Sequence, residues 1–414
     1  MRTSFWCELA WLGDAEPASG VMVDVEGGVI AGVMFGVERP ADARLLPGLT
    51  LPGLANAHSH AFQRALRGRT HRGGEGSFWT WREQMYELAG LLSSDDVYAL
   101  ARATFAEMAL AGITVVGEFD YLHESEAIIA AAAEAGVRLT LIDACYLDGG
   151  LPRFRDESPS AWAERVAGIE LGPDARLGAA IHSVRAVDPD SARIVAEAAA
   201  AHEWPLHAHV SEQPAENEEC FRRYGATPLE LLDRVGALSP WFTAVHATHV
   251  TESDAQLLWN AGAFCCVCPT TERDLADGIG EPSGRLTLGS DSQAVIDLFE
   301  EARAVELDIR LATGVRGRLQ AVELARAATI DGYESLGWPE GGRIEPGALA
   351  DLVAVRLDTT RLSGTRPADA LDAVIFAATA GDVDTVIVGG REVVRDGRHL
   401  TIDVASELAD AIPQ

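Results

Sequence analysis

Two histidines one residue apart, His58 and His60, end the apolar run LPGLANAHSH that begins at Leu51. Alternate residues of a strand point to the same side, so both imidazoles face one way. The spacing recurs in HAHVSE as His207 and His209, with Glu212 three residues beyond His209. VHATH adds His246, and GSDS adds the carboxylate of Asp291. Neutral imidazoles and a carboxylate are the donors that a divalent cation such as Zn2+ takes, at Zn–N distances of about 2.0–2.1 Å. One His-x-His pair alone says little. Its recurrence, together with an aspartate, says more, because buried imidazoles and carboxylates are costly unless something satisfies them.

Strands must bring these side chains together. Eight apolar, β-branched segments recur with helical periodicity between them: LPGLANAHSH, GITVVGEFDYL, VRLTLIDACYL, RLGAAIHSVRAV, WPLHAHVSE, FTAVHATHV, GAFCCVCPTTE and RLTLGSDSQ. The intervening SSDDVYALARATFAEMALAG, DPDSARIVAEAAAAH and TESDAQLLWNAG each open on Ser, Thr or Asp, the residues that cap helix starts. This alternation predicts an α/β fold, a parallel (β/α)8 barrel of TIM type, with a doubly wound open sheet as its competitor. In nearly every segment the ionisable residue lies at the C-terminal end: His58 and His60, Glu118, His182 and Arg185, His209 and Glu212, His246, Asp291. Barrels gather chemistry on that face from many strands, whereas open sheets confine it to one crevice. The barrel is favoured.

The flanks read differently. VMVDVEGGVIAGVMFGVE and DTVIVGGREVVRDGRH alternate Val or Ile with Gly, Asp and Arg, as short antiparallel strands and tight turns do. We expect a small β-sandwich domain made from residues 1–50 and 341–414, with the barrel that carries the candidate metal donors spanning 51–340. The chain's 414 residues, 48% of them hydrophobic, suit such a two-part globular protein. A formal net charge of −30 argues against nucleic acid and anionic membranes as partners. No run approaches the ~18–20 apolar residues of a spanning helix, and the first residues lack the apolar centre of a secretion signal; a cytoplasmic location is expected. Cys265, Cys266 and Cys268 crowd one apolar run without a second C-x-x-C pair, which suggests buried reduced thiols.

The combined pattern resembles the amidohydrolase superfamily, specifically its mononuclear deaminase branch, over essentially the whole chain. The resemblance implies metal ligation by His58, His60, His209 and Asp291. It further implies proton transfer by Glu212, with His246 and Asp291 as the other catalytic residues. Binuclear members need a bridging carboxylated lysine, and this chain contains no lysine at all. One Zn2+ per chain is therefore implied, with Fe2+ tolerated by such N/O sites. Barrel hydrolases of this size often pair, so a homodimer is expected. His207 is expected lower in the barrel or as a support, His249 in a loop, and His71, His123, His202 and His399 in loops or at the surface.

The long connection from Ala61 to Leu92 suggests an active-site cover. It contains SFWTWREQMYEL, whose Arg82 is a candidate to reach a ligand, while IHSVRAV supplies Arg185 beside His182. Two guanidinium groups in one pocket suit a small dicarboxylate, since each can bind one carboxylate bidentately. HSHAFQRAL, SFWTWRE, EFDYLH, IHSVRAV, HAHVSEQ, VHATH and GSDS together are similar to the formimidoylglutamate deiminase family. That similarity implies substrate contacts from Gln63, Arg82, Tyr121, His182 and Arg185, and a linear dicarboxylate amidine as substrate. Asp120 and Gln293 depart from it, standing where some relatives have histidine. Other amidines, including formimidoylaspartate, and purine- or pyrimidine-type amines stay open as alternatives, as does a catalytically silent scaffold.

Overall fold

The structure is a computed structural model that describes residues 2–14, 16–71 and 76–413. In chain order its strands are β1 (Arg2–Ala10), β2 (Ala18–Glu26), β3 (Val29–Met34), β4 (Arg44–Pro52), β5 (Leu54–Ser59), β6 (Ile113–Asp120), β7 (Arg138–Cys145) and β8 (Ala175–Ile181). They continue as β9 (Leu206–Val210), β10 (Phe242–His246), β11 (Phe264–Val267), β12 (Arg285–Leu288), β13 (Leu352–Val355), β14 (Val383–Val388), β15 (Arg391–Arg395) and β16 (Arg398–His399).

Strands β5 to β12 form one parallel sheet in sequence order, and each falls on one of the eight expected segments, β8 starting one residue before its segment at Ala175. Every residue of β6 and β7 is buried, as expected of strands covered on both faces. The sheet closes where Asp291 N–H donates to the His58 carbonyl and His60 N–H to the Asp291 carbonyl, both at 3.0 Å. Helices start where the sequence placed caps. Ser93 and Asp96 form a reciprocal capping box, Asp188 accepts from Asp190 N and Ser191 N, and Thr251 pairs with Asp254.

Both chain ends supply the second sheet, in the order β16-β15-β14-β13-β4-β1-β2-β3. Phe5, Val21, Val23, Leu46, Leu352 and Ile387 pack into its own core, which makes this the small sandwich unit. The pairing is antiparallel except between β1 and β4, which run parallel. Two helices in the C-terminal stretch were not expected from its sequence. Ala370–Ala377 leans on the barrel, where Arg303 donates to the Ala378 carbonyl at 2.6 Å, and Val404–Ala411 is tied to it by Arg102–Glu407 at 2.5 Å.

The two units are joined at the barrel floor. Chain continuity runs from β4 through Gly53 into β5, and a Cβ at Gly53 would collide with Thr114. Asp351 sits fully buried beside this junction. Its carboxylate accepts from Arg138 Nε at 2.8 Å and Nη2 at 3.1 Å, from Tyr333 Oη at 2.8 Å and from Gly389 N at 2.7 Å. Removing one partner of a buried pair leaves the other charge uncompensated. Asp351→Ala should therefore cost about 3–5 kcal/mol of stability, read as a lower denaturant midpoint.

Candidate metal centre and active site

The mouth of the barrel collects the imidazoles. His58 Nε2 and His209 Nε2 lie 3.2 Å apart. His58 Nε2 and His60 Nε2 stand 3.3 and 3.4 Å from Asp291 Oδ1. His58 on β5, His60 just past its end, His209 on β9 and Asp291 in the turn after β12 thus approach one another at the barrel mouth. His246 approaches from β10, with Nε2 3.9 Å from Asp291 Oδ2 and 3.8 Å from Glu212 Oε1.

Hydrogen bonds fix which nitrogen of two of these rings is free. His60 Nδ1–H donates to the Phe119 carbonyl at 3.2 Å, and His209 Nδ1–H to the His182 carbonyl at 2.9 Å. Each therefore turns a bare Nε2 lone pair toward the centre, the tautomer that a metal-ligating histidine requires. Burial keeps these imidazoles neutral. His58 is held down at about 3, and His60, His209 and His182 are lowered by the same cause. Asp291 is buried too, but the His58 hydrogen bond and the surrounding histidines bring its carboxyl below the ordinary range. Two overlapping buried donor sets share His58: His58, His60 and His209, and His58, His246 and Asp291. With His246 driven toward its cation, His58, His60, His209 and Asp291 are the donors whose chemistry fits a tetrahedral divalent cation.

His246 behaves oppositely. Burial works against its charge, but the Glu272 hydrogen bond at 3.3 Å, with Glu212 and Asp291 nearby, outweighs that and favours the imidazolium. The backbone here is strained: His246, Ala247 and Asp291 take φ of 68°, 50° and 42°, a left-handed region that non-glycine residues enter at a cost of about 1–3 kcal/mol each.

Beside this cluster lies a cavity of about 220 Å³. Gln63, Arg82, Tyr121, His182 and Arg185, the residues expected to contact substrate, all line it, as do Glu212 and His246. Arg82 sits on helix α1 (Phe78–Leu91), stacked over Trp79 at 4.5 Å. Its buried Nε has no partner, and among the described residues no carboxylate pairs with it. Arg185 is differently placed. It donates to Glu212 Oε2 at 3.0 Å and lies 3.7 Å from Glu216, so both neighbours already offset its charge. Gln63 donates to Tyr121 OH at 3.1 Å and leaves a buried Oε1 without a partner.

Of the remaining histidines, His207 and His249 sit as their positions suggested and His202 is exposed, but His399, expected in a loop or at the surface, is half-buried in the short strand β16. His207 is buried below His209, with Nε2 3.2 Å from the Ser335 carbonyl, and His249 Nε2 meets the Asp277 carbonyl at 2.7 Å in a loop. All six cysteines are buried and free. Asp120 accepts from Leu122 N at 2.8 Å and Glu124 N at 3.2 Å, organising the turn after β6.

Several supports escaped the sequence reading. Glu272 closes the segment GAFCCVCPTTE; it also accepts from Cys268 N at 2.9 Å, so it fixes both the turn and the His246 ring. The Phe119 ring lies 5.2, 5.4 and 4.6 Å from those of His58, His60 and His209 and floors the centre. Glu216, buried at 1% exposure, holds Arg185. Tyr146 packs 4.4 Å from the His182 ring in the cavity wall. Only Glu118 gave a visible signal, as an ionisable residue at a strand end; burial pushes its carboxyl up to about 8.

Residues 49–393 match the profile of the amidohydrolase family. The chain belongs to that family. Over 86% of its length this amidohydrolase is 35% identical to the formimidoylglutamate deiminase of Pseudomonas aeruginosa, covering 87% of that protein. It is 30% identical to the 5-methylthioadenosine/S-adenosylhomocysteine deaminase of Natronomonas pharaonis, with 94% and 92% of the two chains covered. The crystal structure of an amidohydrolase from Brucella melitensis superposes with a TM-score of 0.90 at 32% identity, over 99% of both chains. The chain is accordingly a hydrolase with a barrel and a histidine-rich site able to hold metal.

Packing behind the ligands generates a test. A Cβ at Gly289 would lie 2.8 Å from both Cys268 Sγ and the His58 carbonyl oxygen and 2.9 Å from His58 Cβ. Gly289→Ala should force His58 out of line at an overpacking cost of about 1–3 kcal/mol. Thermal denaturation would show the loss, and metal retained after dialysis should fall with it.

Proposed function

We propose that this amidohydrolase hydrolyses N-formimidoyl-L-glutamate to N-formyl-L-glutamate and ammonia, using one Zn2+ held by His58, His60, His209 and Asp291. The observation that carries the substrate class is Arg82, a guanidinium that pairs with no carboxylate among the described residues and lines a cavity shared with the metal donors. A cation facing a small cavity is satisfied by an anionic ligand. Among relatives, the 35% identity to a formimidoylglutamate deiminase supports the same reading.

Held by His58, His60, His209 and Asp291, a zinc ion would lower the pKa of a bound water toward ~7 and so make a nucleophile available at neutral pH. The chain's residues do the rest. Asp291 takes the proton of the attacking water, and the cationic His246, oriented by Glu272, stabilises the charge that develops on the adding oxygen. The unpartnered Gln63 Oε1 accepts an N–H of the formimidoyl group and aims its carbon at the centre. Glu212 delivers a proton to the departing nitrogen, so that ammonia leaves and the formyl group remains. Arg82 holds one carboxylate; Arg185 keeps Glu212 in place and has donors left for the second.

A ring deaminase is the second reading, favoured by aromatic walls that include Phe78, Trp81, Tyr86 and Phe154. The 220 Å³ cavity falls below the ~300 Å³ lower bound of drug-sized sites, which disfavours a nucleoside. Ammonia release from formimidoylglutamate, formimidoylaspartate and heterocyclic amines, measured side by side, decides between them. Release from the heterocycles alone would overturn our reading.

Two variants probe the roles. Glu212→Gln should keep zinc while turnover falls by roughly 10²–10⁴, the range general acid–base groups supply. Arg82→Met should lower kcat/KM for the dicarboxylate by about 10–100-fold, matching a lost charged hydrogen bond of ~1.5–3 kcal/mol.

A further inference from the structure

The seam where the barrel closes runs through the metal donors. β12 ends at Leu288, and the turn that follows carries Asp291 back to β5. Beneath that turn lies a continuous line of buried side-chain hydrogen bonds to which the catalytic scheme assigns no part. Asn56 Nδ2 donates to Ser290 Oγ at 2.7 Å, and Ser290 Oγ donates to Gln293 Oε1 at 2.8 Å. Gln293 Nε2 donates across the seam to Ser59 Oγ at 2.9 Å and back to the Asp291 carbonyl at 2.8 Å. Ser59 Oγ donates to Glu118 Oε2 at 2.5 Å, and Glu118 Oε1 accepts from Ala61 N at 2.6 Å.

The path of this line is informative. Ser59 lies between the ligands His58 and His60, and Ala61 follows His60. Ser290 precedes Asp291, and Gln293 lies two residues beyond it. The line thus holds the chain beside His58, His60 and Asp291 without touching their side chains. All five residues whose side chains form it are at most 3% exposed, and the amide of Gln293 is saturated, with both hydrogens and the oxygen engaged. Gln293 itself takes φ of 62°, next to Asp291 at 42°. Such conformations persist only where surrounding bonds over-determine them. A network serving barrel closure alone would work as well at any depth of the seam. This one sits at the level of the ligands.

We propose that Gln293 and Glu118 are positioning residues that set the separation of Asp291 from the His58–His60 pair, and through it the affinity for the cation. Partners of this kind that orient ligands typically contribute 10–100-fold to metal affinity. The inference rests on the metal-holding reading of the site and is independent of which substrate is cleaved.

The test measures Zn2+ affinity of the full chain by competition with a chromophoric chelator, alongside thermal melting of the metal-free form. Gln293→Met keeps length and flexibility but removes every hydrogen bond of the amide; it should weaken zinc binding 10–100-fold. Glu118→Gln is milder: its amide has one acceptor oxygen for two donors, Ser59 Oγ–H and Ala61 N–H, and a several-fold loss is expected. Thr114→Val is the control. It breaks buried hydrogen bonds to the Leu54 carbonyl and Tyr333 OH at the other end of the barrel, and should lower the melting temperature without changing zinc affinity. Unchanged affinity in Gln293→Met or Glu118→Gln overturns the proposal, as does an equal loss in Thr114→Val, which would mark the effect as general destabilisation. Wild-type protein that takes up no zinc would instead overturn the reading of the site itself.

Discussion

Three imidazoles facing one another around a buried carboxylate make an arrangement that proteins otherwise avoid. Each ring is stripped of water, and two of them have their other nitrogen committed to a main-chain carbonyl, so lone pairs point at lone pairs. A cation at the centre would make that mutual approach favourable. The remaining architecture follows from holding such donors still. Parallel strands fix Cα positions through their ladders, Phe119 fills the space beneath the rings, and carbonyls of neighbouring strands choose the tautomer. Positive φ angles at His246 and Asp291 turn two further side chains inward at the points where regular strand would carry them past.

The chemistry beside the centre depends on charges held unequal. His182 and His209 are kept neutral by burial, while His246, equally buried, is driven toward its cation by the carboxylates around it. The same residue type thereby serves as lone-pair donor on one strand and as a positive group on the next. A comparable division separates the two arginines. Arg185 is neutralised by Glu212 and Glu216, whereas Arg82 meets no carboxylate among the described residues. In a chain with net charge −30, a guanidinium at the cavity wall is a local inversion of the prevailing field.

Much of this was legible in the sequence, for a physical reason. A fully buried parallel strand must be apolar along its length, so a histidine or aspartate at its end stands out, and His58, His60, His209, His246 and Asp291 were all found that way. Capping residues marked helix starts at Ser93, Asp188 and Thr251 because the signal lies within one turn. What was not legible acts across strands. Glu272 supports His246 from 26 residues away, and Gln293 reaches Ser59 across 234 residues. Neither has a local signature, since the partner is chosen by the closed barrel and not by neighbours in the chain. The helices at Ala370–Ala377 and Val404–Ala411 were missed because the surrounding Val- and Gly-rich strands dominate the local pattern.

Arg82 stands on α1, outside the strands that carry the donors. In our proposed reading, this appended helix adds Arg82 to recognition, alongside Gln63, His182 and Arg185, which line the same cavity from the barrel mouth that carries the reacting groups. Mutational drift on that helix can explore new clients while the reactive machinery stays untouched, which gives such a scaffold a ready route to divergent specificities.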